Sequence, residues 1–228
     1  MKPCFPALPH TAESQSPVKQ WLETHCAQPI VFSDAQHVAL ARLLPLLICG
    51  EQSSQWVFHN EVQRQRESNP VLEAAQDFES IVADEQYHEE ALEWVRNSLS
   101  EPADIVQIKR RSQRFFASLG VKQSFDIHFA QIACLDALVC RLMLAIEKGS
   151  FDTRHPFVLL CRAIKQDEAK HVTLSKRHAI TLGFDSTQWR DFQLNISKRL
   201  YELLATERAA FDTIGVNLDD IFNAKDEH

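Results

Sequence analysis

Apolar residues recur at intervals of three and four along most of this chain, and the recurrence breaks only at clusters of Pro, Gly, Ser and Asn. The pattern predicts an all-α protein. Residues 1–33, rich in Pro and Ser, predict an irregular arm with a short helix after Ser16-Pro17 that carries Trp21 and Leu22 onto the remainder. Ser33-x-x-Gln36 is a capping box for a helix reaching about residue 66, with Pro45 expected to kink or restart it near Ala41 to Leu44. Asn69-Pro70 predicts the N-cap and first position of a second long helix. Asp104 to Leu119 predicts a connecting helix with Gly120 as its C-cap, and Ser124 to Lys148 a third core helix stopped at Gly149. A fourth core helix begins after Asp152 to Pro156 and ends at Gly183. Ser186 is expected to cap a further helix through about Ala210, and a short turn or helix covers Leu218 to Asn223. The expected division is an arm at 1–33, a helical bundle at 34–210 and a C-terminal tail at 211–228.

Composition narrows the class. Five glycines in 228 residues and 45% hydrophobic content agree with a helical protein large enough to bury a substantial core. A net charge of -7 argues against nucleic acid as the main partner. Lys109-Arg110-Arg111 with Arg114 is a local exception, read as a solvated helix face or, alternatively, a docking patch. The N-terminus lacks the apolar core of a secretory signal, no segment is expected to span a membrane, and six cysteines lack any C-x-x-C spacing. The expectation is a reduced, cytoplasmic protein.

The candidate chemistry lies in a doubled motif. Asp84-Glu85-Gln86-Tyr87-His88 returns as Asp167-Glu168-Ala169-Lys170-His171. On a helix, Glu and the His three residues later project from one face, so each copy offers an oxygen and a nitrogen to a metal ion. Unordered sequence of this composition should contain only about 0.05 D-E-x-x-H, so two copies by accident is remote. One copy alone would more simply be a solvated helix face. Asp34-x-x-His37 and Asp152-x-x-His155, near helix starts, are read as capping and surface residues.

A dinuclear site in a four-helix bundle takes Glu-x-x-His from two helices and one carboxylate from each of the other two. In an antiparallel pair, residues equally far from the turn lie at one height, which matches Glu51 to Glu85 and Asp136 to Glu168. Glu147 stands about 11 residues, roughly 16 Å, away from that level. Both chosen acids follow or interrupt apolar runs, and a buried carboxylate needs a cation or a donor. Two simpler readings remain open: Asp136 could pair with Arg141 or Arg162, and Glu51, following Gly50, could be exposed.

These residues resemble the ferritin-like di-iron carboxylate superfamily, over about residues 34 to 182. The resemblance implies a ferritin-like four-helix bundle with added connecting and C-terminal helices, two iron ions or a manganese and iron pair, and Glu51, Glu85, His88, Asp136, Glu168 and His171 as ligands. The two motif glutamates would bridge the metals. Asp84 and Asp167 resemble the family's outer acids, which accept the second ring N–H of a bound His across the bundle. Asp136 departs from the family, where most members have Glu. Leu92 stands where ribonucleotide reductase small subunits have a radical Tyr, Ile164 where arylamine N-oxygenases have a third His, and the Cys-rich module of rubrerythrin is missing. Length and Gly50-Glu51-Gln52 are similar to aldehyde-deformylating oxygenases.

Four carboxylates and two neutral imidazoles balance two divalent ions, and their oxygen and nitrogen donors suit iron or manganese. The implied function is an oxygenase or oxidase acting with O2 and an external electron donor on a small, partly apolar molecule. A homodimer stays open. Positions one turn from the ligands, Leu47, Gln55, Ala133, Cys140, Ile164 and Val172, are expected to line the substrate pocket, although a helical core would hold the same residues. An iron-handling ferroxidase or peroxide scavenger and a partner-binding bundle with a vestigial site are the alternatives.

Overall fold

Local capping chemistry sets where the helices begin. In this computed structural model, which describes residues 2–10, 14–68, 73–120 and 123–222, helix α1 (Pro17–His25) starts at Ser16, whose hydroxyl accepts from the Val18 N–H at 3.0 Å. The capping box at the start of α2 (Asp34–Ser68) closes both ways: Ser33 N–H donates to Gln36 Oε1 at 3.0 Å, and Gln36 N–H to Ser33 Oγ at 3.3 Å. Helix α2 continues through Pro45 without restarting. The expected Asn69-Pro70 cap lies outside the described residues, and α3 spans Glu73–Asn97. Helices α4 (Ile105–Leu119), α5 (Phe125–Glu147) and α6 (Pro156–Thr181) follow, with His155 capping α6 by accepting from the Phe157 N–H at 3.2 Å. His37 and Asp152 likewise make only local or loop contacts.

All regular elements among the described residues are helical. α2 packs on α3, and α5 on α6. Each pair runs antiparallel, since Gln52 meets Glu89 while Ser54 meets Glu85. On the other pair, Glu147 near the end of α5 meets Arg162 and Lys165 near the start of α6. α4 lies against α2, and α7 (Trp189–Leu204) against α5, an arrangement compatible with a ferritin-like bundle carrying added helices. α5 is long and apolar enough, by length and composition alone, to cross a membrane. Much of its apolar surface is covered instead by α6, α7 and α9 (Leu218–Phe222).

The C-cap expected at Gly120 forms, while two other expectations change. Gly120 caps α4 in right-handed backbone, with φ of -91°; a Cβ there would lie 3.1 Å from His128 Cε1, so the glycine makes room for that ring. Asp185, in place of Ser186, caps the turn before α7, its Oδ1 accepting from the Thr187 N–H at 2.9 Å. The expected helix to Ala210 breaks after Leu204 into a 3-10 turn, Ala205–Glu207, before α8 (Arg208–Thr213). The break turns Glu207 inward, where its carboxylate receives Arg42 Nε at 2.6 Å and Arg111 Nη2 at 2.5 Å. Arg111 therefore serves the fold, leaving Arg110 and Arg114 as the exposed part of the basic run. Within the expected tail, Phe211, Ile214, Val216, Leu218 and Ile221 are buried in the main core.

That junction generates a stability test. A Cβ on Gly149 would sit 2.4 Å from the Ile214 carbonyl oxygen, the same oxygen that accepts from the Ser150 N–H at 2.9 Å. Gly149→Ala should lower unfolding free energy by about 1 to 3 kcal/mol in chemical denaturation, as overpacking does. An unchanged midpoint would mean that residues 149 and 214 do not meet.

Candidate metal centre

Both D-E-x-x-H segments lie mid-helix, on α3 and α6, so each presents its Glu and His to the bundle interior. The ligand atoms of Glu51, Glu85, His88 and Glu168 all lie within 4.8 Å of one another, and all four residues are buried. Glu51 is thus neither exposed nor displaced by Gly50. The glycine continues the helix, and a Cβ on it would meet Phe116 Cζ of α4 at 3.1 Å.

His171 joins the cluster through Nδ1, 3.3 Å from Glu85 Oε1 and 3.8 Å from Glu168 Oε2. His88 Nδ1 lies 3.3 Å from Glu51 Oε2 and 3.6 Å from Glu85 Oε2. Asp136 is buried beside them but outside the tight group, as its shorter arm would require. No arginine pairs with it among the described residues; Arg162 and Lys165 are bound to Glu147 at the bundle end.

The outer acids cross over. His88 Nε2 lies 3.2 Å from Asp167 Oδ2, and His171 Nε2 lies 3.2 Å from Asp84 Oδ2. Each motif's Asp therefore holds the other motif's His. An ionised carboxylate only accepts, so a proton is assigned to each Nε2, which leaves Nδ1 of each ring as the nitrogen that points into the cluster. Asp167 is itself held by Ser16 Oγ at 2.5 Å and by Lys170 Nζ at 2.5 Å. Ser54 donates to Glu85 Oε1 at 2.7 Å.

Three buried atoms in this volume lack a hydrogen-bond partner: Glu85 Oε2, Asp136 Oδ2 and His171 Nδ1. Two are oxygens with lone pairs and one is the inward ring nitrogen, which offers a lone pair once it gives up its proton, so together they form a donor set for a cation. Burial pushes Glu51, Asp136 and Glu168 well above the ordinary carboxylate range, with the neighbouring Glu85 charge adding to each. Burial opposes ionisation of Glu85 too, but its contacts with Glu51, His171 and His88 hold it well below that range. Burial would lower both imidazoles; contacts with Asp84 and Glu85 nevertheless raise His171 to about 9, and contacts with Asp167, Glu51 and Glu85 raise His88.

A cavity of about 80 Å³ opens from the cluster, along the gap between α2 and α5 that α4 and α7 cover. Glu51, Glu85, Asp136 and Glu168 form its polar end, and Val57, Leu135, Val139, Leu142, Phe116 and Leu203 are among its apolar walls. Of the positions expected to line a pocket, Leu47 does so. Gln55, Ala133, Cys140, Ile164 and Val172 do not. Being one turn from a ligand places a side chain near the site's level on any side, and the space opens on one side only. Gln55 instead ties Glu89 to the Glu85 carbonyl, and Cys140 leans on the Lys165 carbonyl. Val139, one turn after Asp136, was within reach of helical spacing; Phe116 and Leu203 come from helices that spacing could not aim.

No family model, curated protein or solved structure matches the chain. The site stands on its own geometry.

Two tests follow from the electrostatics. The metal-free protein should lose stability as pH rises, because a histidine whose folded pKa is raised stabilises fully below its unfolded value of about 6.5 and loses that contribution as pH passes its folded value. For His171 the window runs from 6.5 to about 9. The raised carboxylates act in the same direction, each losing its contribution as pH climbs through its elevated value. Thermal melts of metal-free protein that are flat across this window would contradict the buried cluster. Separately, Asp84→Asn and Asp167→Asn should each weaken metal binding about 10- to 100-fold with helicity by circular dichroism unchanged, as when a ligating His loses its acceptor. Parental affinity in both would make these acids bystanders.

Proposed function

We propose that this chain is a ferritin-like di-iron oxidoreductase that uses O2 to oxidise a small organic molecule with an apolar portion. The observation that carries the reading is the crossed pair of D-E-x-x-H segments, in which Glu85 Oε2 and His171 Nδ1 lack partners at the end of an apolar cavity. Glu51, Glu85, His88, Asp136, Glu168 and His171 would hold two ferrous ions, and a manganese and iron pair fits the same donors. Bound there, such a pair would supply electrons and open positions for dioxygen, drawing further electrons from an external donor.

The chain's own groups do the rest. Asp84 and Asp167 hold protons at the histidine Nε2 atoms, which fixes both rings with Nδ1 inward. Ser54, donating to Glu85 Oε1, limits how that carboxylate can turn. Leucines and valines exclude water from the cavity and leave an alkyl or small aromatic group as the best-matched occupant. A groove on the surface shares Ser53, Val57, Phe116 and His128 with the cavity as a common wall, and we infer that substrate passes there. Burial lowers the His128 pKa, so at neutral pH this wall presents an uncharged ring. A ferroxidase would have no use for an apolar cavity beside its carboxylates.

Loading the protein anaerobically with ferrous ion should give about two irons per chain, since six ligands exceed what one ion uses. A stoichiometry fixed at one would sink the dinuclear site. With loaded protein, a panel of alkyl aldehydes, alcohols and amines should include compounds that accelerate oxygen uptake. Val139→Trp, which fills the cavity without removing a ligand, should keep its iron and lose that acceleration. If the parent consumes oxygen with ferrous ion alone and Val139→Trp does the same, iron handling is the better reading.

A further inference from the structure

Cys4 and Cys49 form a buried thiol pair that the metal cluster does not use. The arm lays Cys4 into the groove between α2 and α4. Its N–H donates to Gln52 Oε1 at 2.7 Å, its carbonyl accepts from Gln113 Nε2 at 2.5 Å, and its Sγ lies 3.9 Å from the Lys109 carbonyl oxygen. Cys49 stands one turn before Gln52 on α2, fully buried, and faces the same groove in contact with Ser112 of α4. The two thiols lie side by side in this groove, each the largest influence on the other's ionisation, and Ser112 Oγ donates to the Leu46 carbonyl at 3.3 Å one turn before Cys49.

We propose that Cys4 and Cys49 are an oxidisable pair, a site of disulfide formation that fastens the amino-terminal arm to α2. The chemistry of the two sulfurs differs in the sense this needs. The neighbouring Cys49 thiol, with Lys109 nearby and against burial, Glu93 and Glu89, holds the Cys4 thiol below its ordinary range. Burial pushes up Cys26, and Cys134 and Cys140 to about 11. Cys161, inside the core, is also pushed up by burial. The thiolate is the nucleophile, so Cys4 is the cysteine poised to react.

With hydrogen peroxide as oxidant, the Cys4 thiolate attacks one peroxide oxygen, the O–O bond breaks, and the departing hydroxide takes a proton to leave as water. The resulting sulfenic acid is attacked by Cys49 sulfur, the S–O bond breaks, and the Cys49 proton leaves with the hydroxyl as a second water. The dithiol loses two electrons and peroxide gains them. Cys4 lies in chain without helical hydrogen bonds, so its backbone can adjust to the geometry a disulfide demands. Cellular thiols would reverse the bond, as for a redox-sensing pair in a reducing compartment.

The fastened segment continues into the surface groove. Phe5 is part of that groove's lining, and the Pro6 carbonyl accepts from Trp56 Nε1 at 2.7 Å. Oxidation would therefore fix the outer lip of the wall that Phe116 and His128 form.

The test uses the full chain, metal-free and iron-loaded. After exposure to hydrogen peroxide, denaturation and alkylation, peptide mass mapping should find a Cys4–Cys49 cross-linked peptide with the other four cysteines alkylated. A reductant should restore all six. C4S, on the arm, and C49S should each abolish the cross-link, and in C49S the Cys4 sulfenic acid should be trapped by dimedone. Peroxide should also slow proteolysis within residues 2–10 several-fold in the parent and leave C4S unchanged. Complete alkylation of all six after peroxide, or Cys4 oxidised while Cys49 alkylates freely, would overturn the pairing.

Discussion

Charge buried in one small volume is the constraint from which the other features of this structure follow. Glu51, Glu85, Asp136 and Glu168 share the middle of the bundle, Asp84 and Asp167 stand just behind, and Lys170 is the lysine that reaches this shell. Carboxylates so placed cost several kcal/mol each unless a cation or proton compensates. In the metal-free chain the compensation is protonation, visible as raised affinities on three of the inner acids and both imidazoles. Divalent ions would replace those protons, so metal binding and proton release are linked.

The crossed contacts between motifs convert this local problem into a global tie. Because Asp84 serves His171 and Asp167 serves His88, neither D-E-x-x-H is complete without the other helix. The two hairpins, α2 with α3 and α5 with α6, are thereby held in one relative register at the level of the cluster. Their other edges, α2 and α5, are free to stand apart. The cavity occupies that separation, which is why the covering helices α4 and α7 supply so many of its walls.

Much of this was legible in the sequence, for identifiable reasons. A doubled motif fixes two helix faces, and equal distances from a turn pick out Glu51 and Asp136, because rise per residue in a helix is constant. Ser33-x-x-Gln36 and Ser16-Pro17 are local signals, and both caps form. What could not be read depends on contacts between distant segments. Gly50 and Gly120 make room for Phe116 and His128, and Glu207 ends α7 early to meet Arg42 and Arg111. Ser16 on Asp167 is a further case, while Ser54 and Lys170, each one turn from a site residue, lay within reach of helical spacing. Five of the six positions expected at the pocket do not line the cavity, because spacing gives the height of a side chain and not the direction in which space remains.

The Ser16 contact also bears on the order in which the chain can be finished. Ser16 emerges early in synthesis, yet its partner Asp167 lies 151 residues further on. Closing so long a loop costs only about 0.6 kcal/mol more for each doubling of its length, so the equilibrium penalty is slight. The kinetic consequence is larger, since contacts of high sequence separation form late. The arm cannot make this contact until α6 has been synthesised. The group that steadies His88 is thus itself held from the opposite end of the chain.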